Sequence, residues 1–561
     1  MYQYGEHDSK LLKQRARQFK GQVRRFQDGV LGAELFQQLR LRNGLYMERH
    51  APMLRVAIPY GVLNSAQLIR LARVAREFDR GFGHFTTRQN IQFNWPQLTD
   101  VPEILDQLAE VGMHAIQTSG SCIRNITCDH LAGVAADEVA DPRPWCELIR
   151  QWFTLHPEFN WLPRKFKIAV SGAKNDRAAI RLHDIGLRLF VDGAGRPRFC
   201  VYVGGGMGRT PVIGKVIRRS LAGPELPGYL QAILRVYNQY GRRDNKYRSR
   251  IKILVNDLGI AAFRDKVETE WQRAKSEVPP FSEAEITRAK SFFDKPSAPA
   301  DRGAVPKVIP VADQRFLRWR EHNTVAHRDR ERRIVYVSLK APGLPPGDLN
   351  AGQMEQLAKL ARAHGEDEIR VSHEQNLVLP HIKKTDLFLV WHELNRLNLA
   401  TPNIGTLNDM ICCPGLDYCS LANAGTIPIA RQINRRLADL DLLYHIGEIK
   451  LKMSGCMNAC GHHHAGHIGI LGVDKKGREW YQITLGGSSE NDTRLGERLG
   501  PAVPREKVAE TVETLVETYL DLRRDGEKFL DTVIRTGVEP FKEKVYANHQ
   551  KSHDHRRPVA A

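Results

Sequence analysis

Five of the nine cysteines, Cys412, Cys413, Cys419, Cys456 and Cys460, crowd into fewer than fifty residues. Cys413 and Cys419 are separated by Pro-Gly-Leu-Asp-Tyr, and Cys456 and Cys460 by Met-Asn-Ala. Two close thiolate pairs are enough to hold one [4Fe–4S] cluster by its four irons. Structural zinc sites prefer pairs two to four residues apart, so the wide first pair disfavours zinc without excluding it. Cys412 sits outside the pattern and reads as a buried neighbour. The other four, Cys122, Cys128, Cys146 and Cys200, are scattered. Nine cysteines in a large chain without an export signal point to metal or redox chemistry rather than to disulfides.

A second set of chemistry-bearing residues emerges from an internal repeat. A shift of 286 residues pairs Gln67, Leu71, Ala72, Ala75 and Arg76 with identical residues Gln353, Leu357, Ala358, Ala361 and Arg362, and Gln89-Asn90 with Gln375-Asn376. A shift of 283 pairs Lys167, Ser171, Gly172 and Asn175 with Lys450, Ser454, Gly455 and Asn458. The two copies differ where chemistry is done. The first has Arg88, Arg124 and Lys165 where the second has Glu374, Met410 and Glu448, and the second has Cys456 and Cys460 where the first has Ala173 and Arg177. One half keeps cations and the other keeps thiols, a division suited to a metal centre that reduces an anion.

These residues must be positioned by a duplicated scaffold. Each copy runs from an alternating apolar segment (LRVAIPY or RIVYVSL) through a helix-period segment to a second strand-like segment, TTRQNIQF or VSHEQNLVL, and then a further helix pattern. This is a ferredoxin-like β-α-β-α arrangement present twice. The expected fold class is α+β, an internally duplicated pseudo-two-fold chain whose natural site is the interface between its halves. The expected divisions are an N-terminal arm and first ferredoxin-like half over 1–125 and a first cradling module with the lysines over 126–295. A Pro- and Ala-rich linker over 296–315, a second ferredoxin-like half over 316–411, a second cradling module with the cysteines over 412–545 and a basic tail over 546–561 follow.

The run C-x5-C followed by S-G-C-x3-C resembles the cluster and sirohaem signature of the sulfite and ferredoxin-nitrite reductase family, and the resemblance extends from near Arg40 to about Val538. It implies that Cys413, Cys419, Cys456 and Cys460 ligate the [4Fe–4S] cluster, that Cys460 also bridges to the sirohaem iron, and that the two α/β modules cradle the sirohaem. Thr86-Thr87-Arg88-Gln89 resembles the family strand bearing its first substrate arginine, and Arg124-Asn125 running to Cys128 resembles the segment bearing the second. Leu162-Pro163-Arg164-Lys165-Phe166-Lys167 resembles the segment bearing two lysines, and alternation on a strand sends Lys165 and Lys167 to one face. The implied roles are catalytic for Arg88, Arg124, Lys165 and Lys167, and cofactor-binding for Arg164, Asn458, Gly204, Gly205, Gly206 and Arg209. The last four lie in a glycine-rich loop whose backbone N–H groups are expected to approach an anion closely. An echo of that loop follows at Gly486-Gly487. Nitrite-reducing relatives tend to have an amide where this chain has Lys167, so the lysine favours sulfite. The chain departs from the family at His467, which stands where an acid is usual, seven residues after Cys460. The surrounding His462-to-His467 cluster is read as lining or covering the cofactor site, with adventitious metal binding as the open alternative.

The composition limits the rivals. A net charge of +19 and pI near 9.5 attract polyanions or acidic proteins. No G-x-G-x-x-G opens a strand-to-helix unit and no P-loop occurs, so electrons are expected from an acidic donor: a ferredoxin, a flavodoxin or a flavoprotein reductase subunit. No apolar run approaches the roughly 18 residues that span a bilayer, and the N-terminus lacks an apolar signal core, so no membrane partner and a cytoplasmic location are expected. The expected activity is assimilatory six-electron reduction of sulfite to sulfide. The alternatives are a ferredoxin-type nitrite reductase making ammonia and, remotely, a basic zinc-containing nucleic-acid-binding protein; the expectation adopted here includes no nucleic-acid partner.

Overall fold

The computed structural model describes residues 5–294 and 313–554. Most of the expected linker and the end of the expected tail lie outside them. Asp313, within the expected linker span, caps the helix Gln314–Asn323, its carboxylate accepting from the N–H groups of Arg315 and Phe316. The chain divides into two compact units. Among the described residues the first comprises 5–206, 212–294, 313–337 and 348–400, and the second comprises 207–211, 338–347 and 401–554.

The first unit contains three five-stranded sheets. Two are ferredoxin-like. One has the order Leu45–Met47, Pro52–Val56, Ile91–Phe93, Phe82–Phe85 and Asp348–Asn350. The other has the order Thr324–Ala326, Arg332–Val337, Leu377–Lys383, Ile369–Val371 and Val62–Leu63. Each half thus lends a short strand to the other's sheet: Asp348 pairs with His84, and Val62 with Arg370. After each lent strand the chain turns into a helix through the same capping box. Asn64 caps Ser65–Phe78 with Gln67 answering it, and Asn350 caps Ala351–His364 with Gln353 answering it. The two glutamines also reach Val111 O and Leu397 O, at 3.1 and 2.8 Å. These two helices pack on each other, which accounts for the repeated small and apolar positions Leu71, Ala72, Ala75, Leu357, Ala358 and Ala361, all buried.

The third sheet of the first unit and the sheet of the second unit are copies of one mixed design. In the first, Thr127–Cys128, Ile168–Ser171 and Ile185–Val191 run parallel and are followed antiparallel by Pro197–Val203 and Lys215–Ala222. In the second, Ile411–Cys412, Leu451–Ser454 and Ile468–Lys475 run parallel and are followed antiparallel by Arg478–Leu485. Helices bury one face of each sheet in a large apolar core, with Phe166, Ile168, Val170 and Tyr237 in one and Met453, Ile470, Leu515 and Tyr519 in the other. No helix among the described residues is long and apolar enough to cross a membrane.

Within the first unit a buried ionic knot ties the second ferredoxin-like half to the first cradling module. Arg370, 1% exposed, donates to Glu368 at 2.7 Å and to the carbonyls of His130 and Ala132 at 3.0 and 2.6 Å. Arg143 binds Asp141 in bidentate fashion and approaches Glu368 at 3.4 Å. Gly133, at φ +79, has no room for a Cβ because the Arg143 guanidinium occupies the space. Removing one charge from such a knot strands the other. Arg370→Met is therefore expected to lower the stability of the first unit by about 3–5 kcal/mol, read as a fall in denaturation midpoint. A change under about 1 kcal/mol would show that the knot carries no net stabilisation.

Candidate functional site

The cationic face is built in the first unit. Arg88 lies in the turn joining Phe82–Phe85 to Ile91–Phe93, and not on a strand as expected. The turn closes by a Thr86 N–H to Asn90 O bond and requires Gln89 at φ +56; the repeat places Gln375 at φ +60 in the equivalent turn. Gln89 keeps that conformation by exchanging hydrogen bonds with the Cys128 backbone at 2.9 and 3.0 Å. The Arg88 guanidinium then donates to Asn125 O at 2.6 Å and Thr127 Oγ1 at 3.2 Å. Arg124 is held by Thr118 O and Gly120 O, at 2.7 and 2.9 Å.

Lys165 and Lys167 precede the strand, which begins at Ile168; only Phe166 between them bridges to Ile123. The alternation still operates, because Phe166 is fully buried while both lysines are partly exposed. Lys167 is pushed well below the usual lysine range by burial, and then by the charges of Arg88, Lys165 and Arg250. Arg88 is pushed down to about 9 by burial and by Arg124. Arg164 is lowered by burial and then by Arg250 and Arg124. The expected cations Arg88, Arg124, Arg164, Lys165 and Lys167 are therefore brought together.

Sequence reasoning missed the residues that organise this face. Asp184, fully buried, accepts the Lys167 N–H at 2.9 Å and binds the Arg250 guanidinium at 2.7 and 2.8 Å. Lys252, pushed down to about 8 by burial and Arg250, lies beside Gly206 O at 3.5 Å. Arg55 is a further charge near Arg88 and shares Thr118 O with Arg124. A signal for Asp184 was present: it stands seven residues after Arg177, as His467 stands seven after Cys460. The pairing of Ile168 with Ile185 and of Leu451 with Ile468 makes Asp184 and His467 equivalent. His467 Nδ1 accepts the Lys450 N–H at 3.2 Å, the same bond that Asp184 makes with Lys167. Burial and the nearby Lys450 and Lys452 push His467 down to about 3.

Part of the glycine loop's hydrogen-bonding capacity is spent inside the fold. The N–H groups of Gly204 and Gly206 are taken by Asp184 O and Val212 O, at 3.0 and 2.9 Å. Gly205 is instead required for packing, since a Cβ there would meet Arg181 O at 2.3 Å. The echo is geometric as well. Gly204 and Gly486 share φ near +78, Gly486 N–H binds His467 O, and Ser488 bridges Arg494 as Gly206 bridges Val212. Arg209 and Asn458 are exposed, Arg209 in the loop 207–211 and Asn458 in the turn between Cys456 and Cys460.

The thiols are built in the second unit on two adjoining loops. A Cβ at Gly455 would meet Gly415 Cα at 2.8 Å, so the loop after Cys413 packs directly against the residue before Cys456. The Gly455 N–H donates to Cys413 Sγ at 3.1 Å, a bond suited to a thiolate. Burial pushes the Cys413 thiol up, with Cys460 and Cys412 adding to it. Cys412 lies in the apolar core at the end of Ile411–Cys412, as its expected role as a buried neighbour requires. Among the described residues no three His, Cys, Asp or Glu side chains converge on a single-ion position. His463, 1% exposed, has ring nitrogens without a hydrogen-bond partner, and its ring lies 3.9 Å from that of His464, which reaches Gly208 O at 3.1 Å. Thiolate-directed N–H donation and orphaned buried imidazole nitrogens both fit a site that takes a cluster and a polar cofactor.

The first unit shows what the same fold does without thiols. Cys128 pairs with Val170 as Cys412 pairs with Met453, which makes Asp129 the counterpart of Cys413. Arg177, the counterpart of Cys460, binds Asp129 at 3.0 and 3.1 Å and Asp137 at 2.9 Å. A buried ion pair thus stands at the positions the second unit gives to two thiols.

Comparison with known proteins agrees with this geometry. The family model described as the nitrite and sulphite reductase 4Fe-4S domain matches residues 119–275 and 405–552. That of the nitrite/sulfite reductase ferredoxin-like half domain matches 48–111 and 327–397. The chain is 28% identical over 502 residues to a protein of Mycolicibacterium paratuberculosis named sulfite reductase (ferredoxin) 2, covering 87% of this chain and 83% of the relative. It is also 28% identical over 512 residues to the assimilatory ferredoxin-dependent nitrite reductase of Haloferax mediterranei, covering 88% and 83%. The solved structure of the Mycobacterium tuberculosis NirA protein superposes with a TM-score of 0.76 at 25% identity, covering 91% of this chain and 92% of that one. Both matched domains occur twice and in the order of the two repeats, and the chain belongs to the nitrite and sulphite reductase family, oxidoreductases that carry sirohaem and a [4Fe–4S] cluster.

Proposed function

We propose that the protein is an assimilatory sulfite reductase, taking sulfite with six electrons and eight protons to hydrogen sulfide and three waters. The observation that carries this reading is Lys167, an ammonium crowded by Arg88, Lys165 and Arg250 and offset by one carboxylate, Asp184. A dianion gains more from that surplus of positive charge than a monoanion does. Relatives named for sulfite and for nitrite stand at the same identity, so nitrite reduction to ammonium is the reading that the kinetics must separate.

When bound, sirohaem coupled to the cluster would supply the redox chemistry, relaying the donor's electrons to the anion. Arg88 and Arg124, fixed through backbone carbonyls, present permanent charge to orient the anion's oxygens. Lys165 and Lys167 deliver protons to oxygens leaving as water, and burial with the charges of Arg88, Lys165 and Arg250 holds Lys167 below the usual lysine range. Asp184 positions this machinery through Arg250 and the Lys167 backbone. Cys413, Cys419, Cys456 and Cys460 hold the cluster. The family resemblance gives Arg164, Gly204, Gly205, Gly206, Arg209 and Asn458 the part of binding sirohaem.

Lys167→Asn tests the substrate. The sulfite-to-nitrite ratio of kcat/KM is expected to fall about ten-fold or more with the visible spectrum unchanged. An unchanged ratio on fully loaded enzyme would remove the preference for sulfite.

The ligand set has its own test. Cys413→Ser is expected to lose iron and acid-labile sulfide, and Cys460→Ser to lose the cluster and sirohaem absorption together, whereas Cys412→Ser keeps both. Loss of the cluster on changing Cys412 but not Cys413 would shift the assignment by one residue.

We further infer that the donor is an acidic protein such as a ferredoxin, as the names of the relatives suggest. Donor-dependent turnover should then decline steeply towards 1 M salt, where the screening length falls to about 3 Å, while reduction by a neutral dye declines little. An equal response of both activities would leave the +19 charge with no part in docking.

A further inference from the structure

We propose that a basic, aromatic-floored groove on the second ferredoxin-like half receives an acidic amphipathic helix from a partner protein. In the first half a helix of the chain itself covers part of the equivalent helix pair. There the helix Glu6–Gln27 lies across the helices Ala33–Arg42 and Val101–Glu110. Its stripe Leu12, Ala16, Phe19 and Val23, at helical spacing, is buried. Phe19 and Phe26 stack on Phe36 at 6.3 and 4.1 Å, and Leu12 joins Ala109 and Ile116.

The duplication gives the second half the same helix pair, Gln314–Asn323 packed on Leu387–Arg396. Here the described residues leave a cavity of about 550 Å³. Its floor is Phe316, Leu317, Leu387 and Phe388, with the rings of Phe316 and Phe388 edge to face at 5.3 Å. Its rim carries Arg320, Arg333 and Lys384 against the single acid Glu321. A floor of large apolar side chains beneath a charged rim suits apolar anchors spaced i, i+3, i+4 and i+7.

The rim selects the occupant. Arg333 is lowered by burial and then by the charge of Arg320, so two guanidinium groups are held within repulsive reach, a placement that an incoming carboxylate relieves. A second copy's N-terminal helix fits poorly, because KLLKQRARQFKGQVRRFQ is itself strongly basic and would meet like charge. The groove uses none of the residues assigned to the reaction, so it stands or falls apart from the sulfite reading.

The test uses the loaded full-length protein and two fluorescein-labelled peptides of about 18 residues, each with Leu and Phe at i, i+3, i+4 and i+7 and with either Glu or Lys at the other positions. In fluorescence anisotropy the Glu peptide should bind saturably and the Lys peptide should not. The exposed double substitution Arg320→Glu with Lys384→Glu should weaken the Glu peptide by about ten-fold or more and let the Lys peptide bind. Arg320→Gln with Lys384→Gln serves if the first variant melts early, and should give the same loss for the Glu peptide. No binding of the Glu peptide, or equal binding to native and substituted protein, overturns the proposal. So does a concentration-dependent dimer in sedimentation that either double variant abolishes, since the occupant would then be a second copy.

Discussion

One buried carboxylate makes the cationic face of the first unit possible. Arginines and lysines packed this closely repel one another, and burial makes each charge harder to hold, which is why Lys167, Arg88 and Lys252 all lie below their usual ranges. Asp184 offsets part of that repulsion and fixes geometry as well. Its side chain clamps Arg250 and the Lys167 N–H, and its carbonyl takes the Gly204 N–H. The strand, the glycine loop and the basic segment after Ser249 are therefore joined through one residue. The rest of the face is then held by carbonyls of Thr118, Gly120 and Asn125, which accept from arginines without cancelling their charge.

Duplication followed by specialisation explains how one mixed sheet can serve two purposes. At several equivalent positions one unit keeps the chemistry and the other satisfies the same space electrostatically. Asp129 and Arg177 neutralise each other where the second unit has Cys413 and Cys460. In the second unit Glu448, opposite Lys165 in the repeat, pairs with Lys450 at 3.3 Å, and His467 replaces Asp184 as a neutral acceptor. A lost function leaves polar groups behind, and these must find partners or be buried at a penalty.

Much of this was legible in the sequence because repeated identity has physical causes. Gln67 and Gln353 recur because each completes a capping box, Gln89 and Gln375 because each holds a left-handed turn, and the alanines because two helices must approach closely. The thiol spacing and the basic segments were equally plain. Asp184 was legible only through the repeat, as the counterpart of His467, because a single acid in an ordinary stretch carries no pattern of its own. Arg250 and Lys252 were hidden in a basic run indistinguishable from surface charge. Arg88 was assigned to a strand because TTRQNIQF alternates through what is in fact a hairpin turn. The glycine loop suggested anion binding, yet two of its N–H groups are spent inside the fold, which only coordinates reveal.

The exchange of short strands between the two ferredoxin-like halves also bears on how the chain comes into being. The first sheet's own strands have all emerged from the ribosome by Phe93, but its edge partner Asp348–Asn350 is synthesised only after the entire first cradling module. At a translation rate of about 5–20 residues per second the nascent sheet waits with the edge strand Phe82–Phe85 unpaired. Val62–Leu63 waits even longer, until Ile369–Val371 exists. Neither half is a module that could be spliced out or traded intact, because each sheet is completed by a strand that the other half supplies.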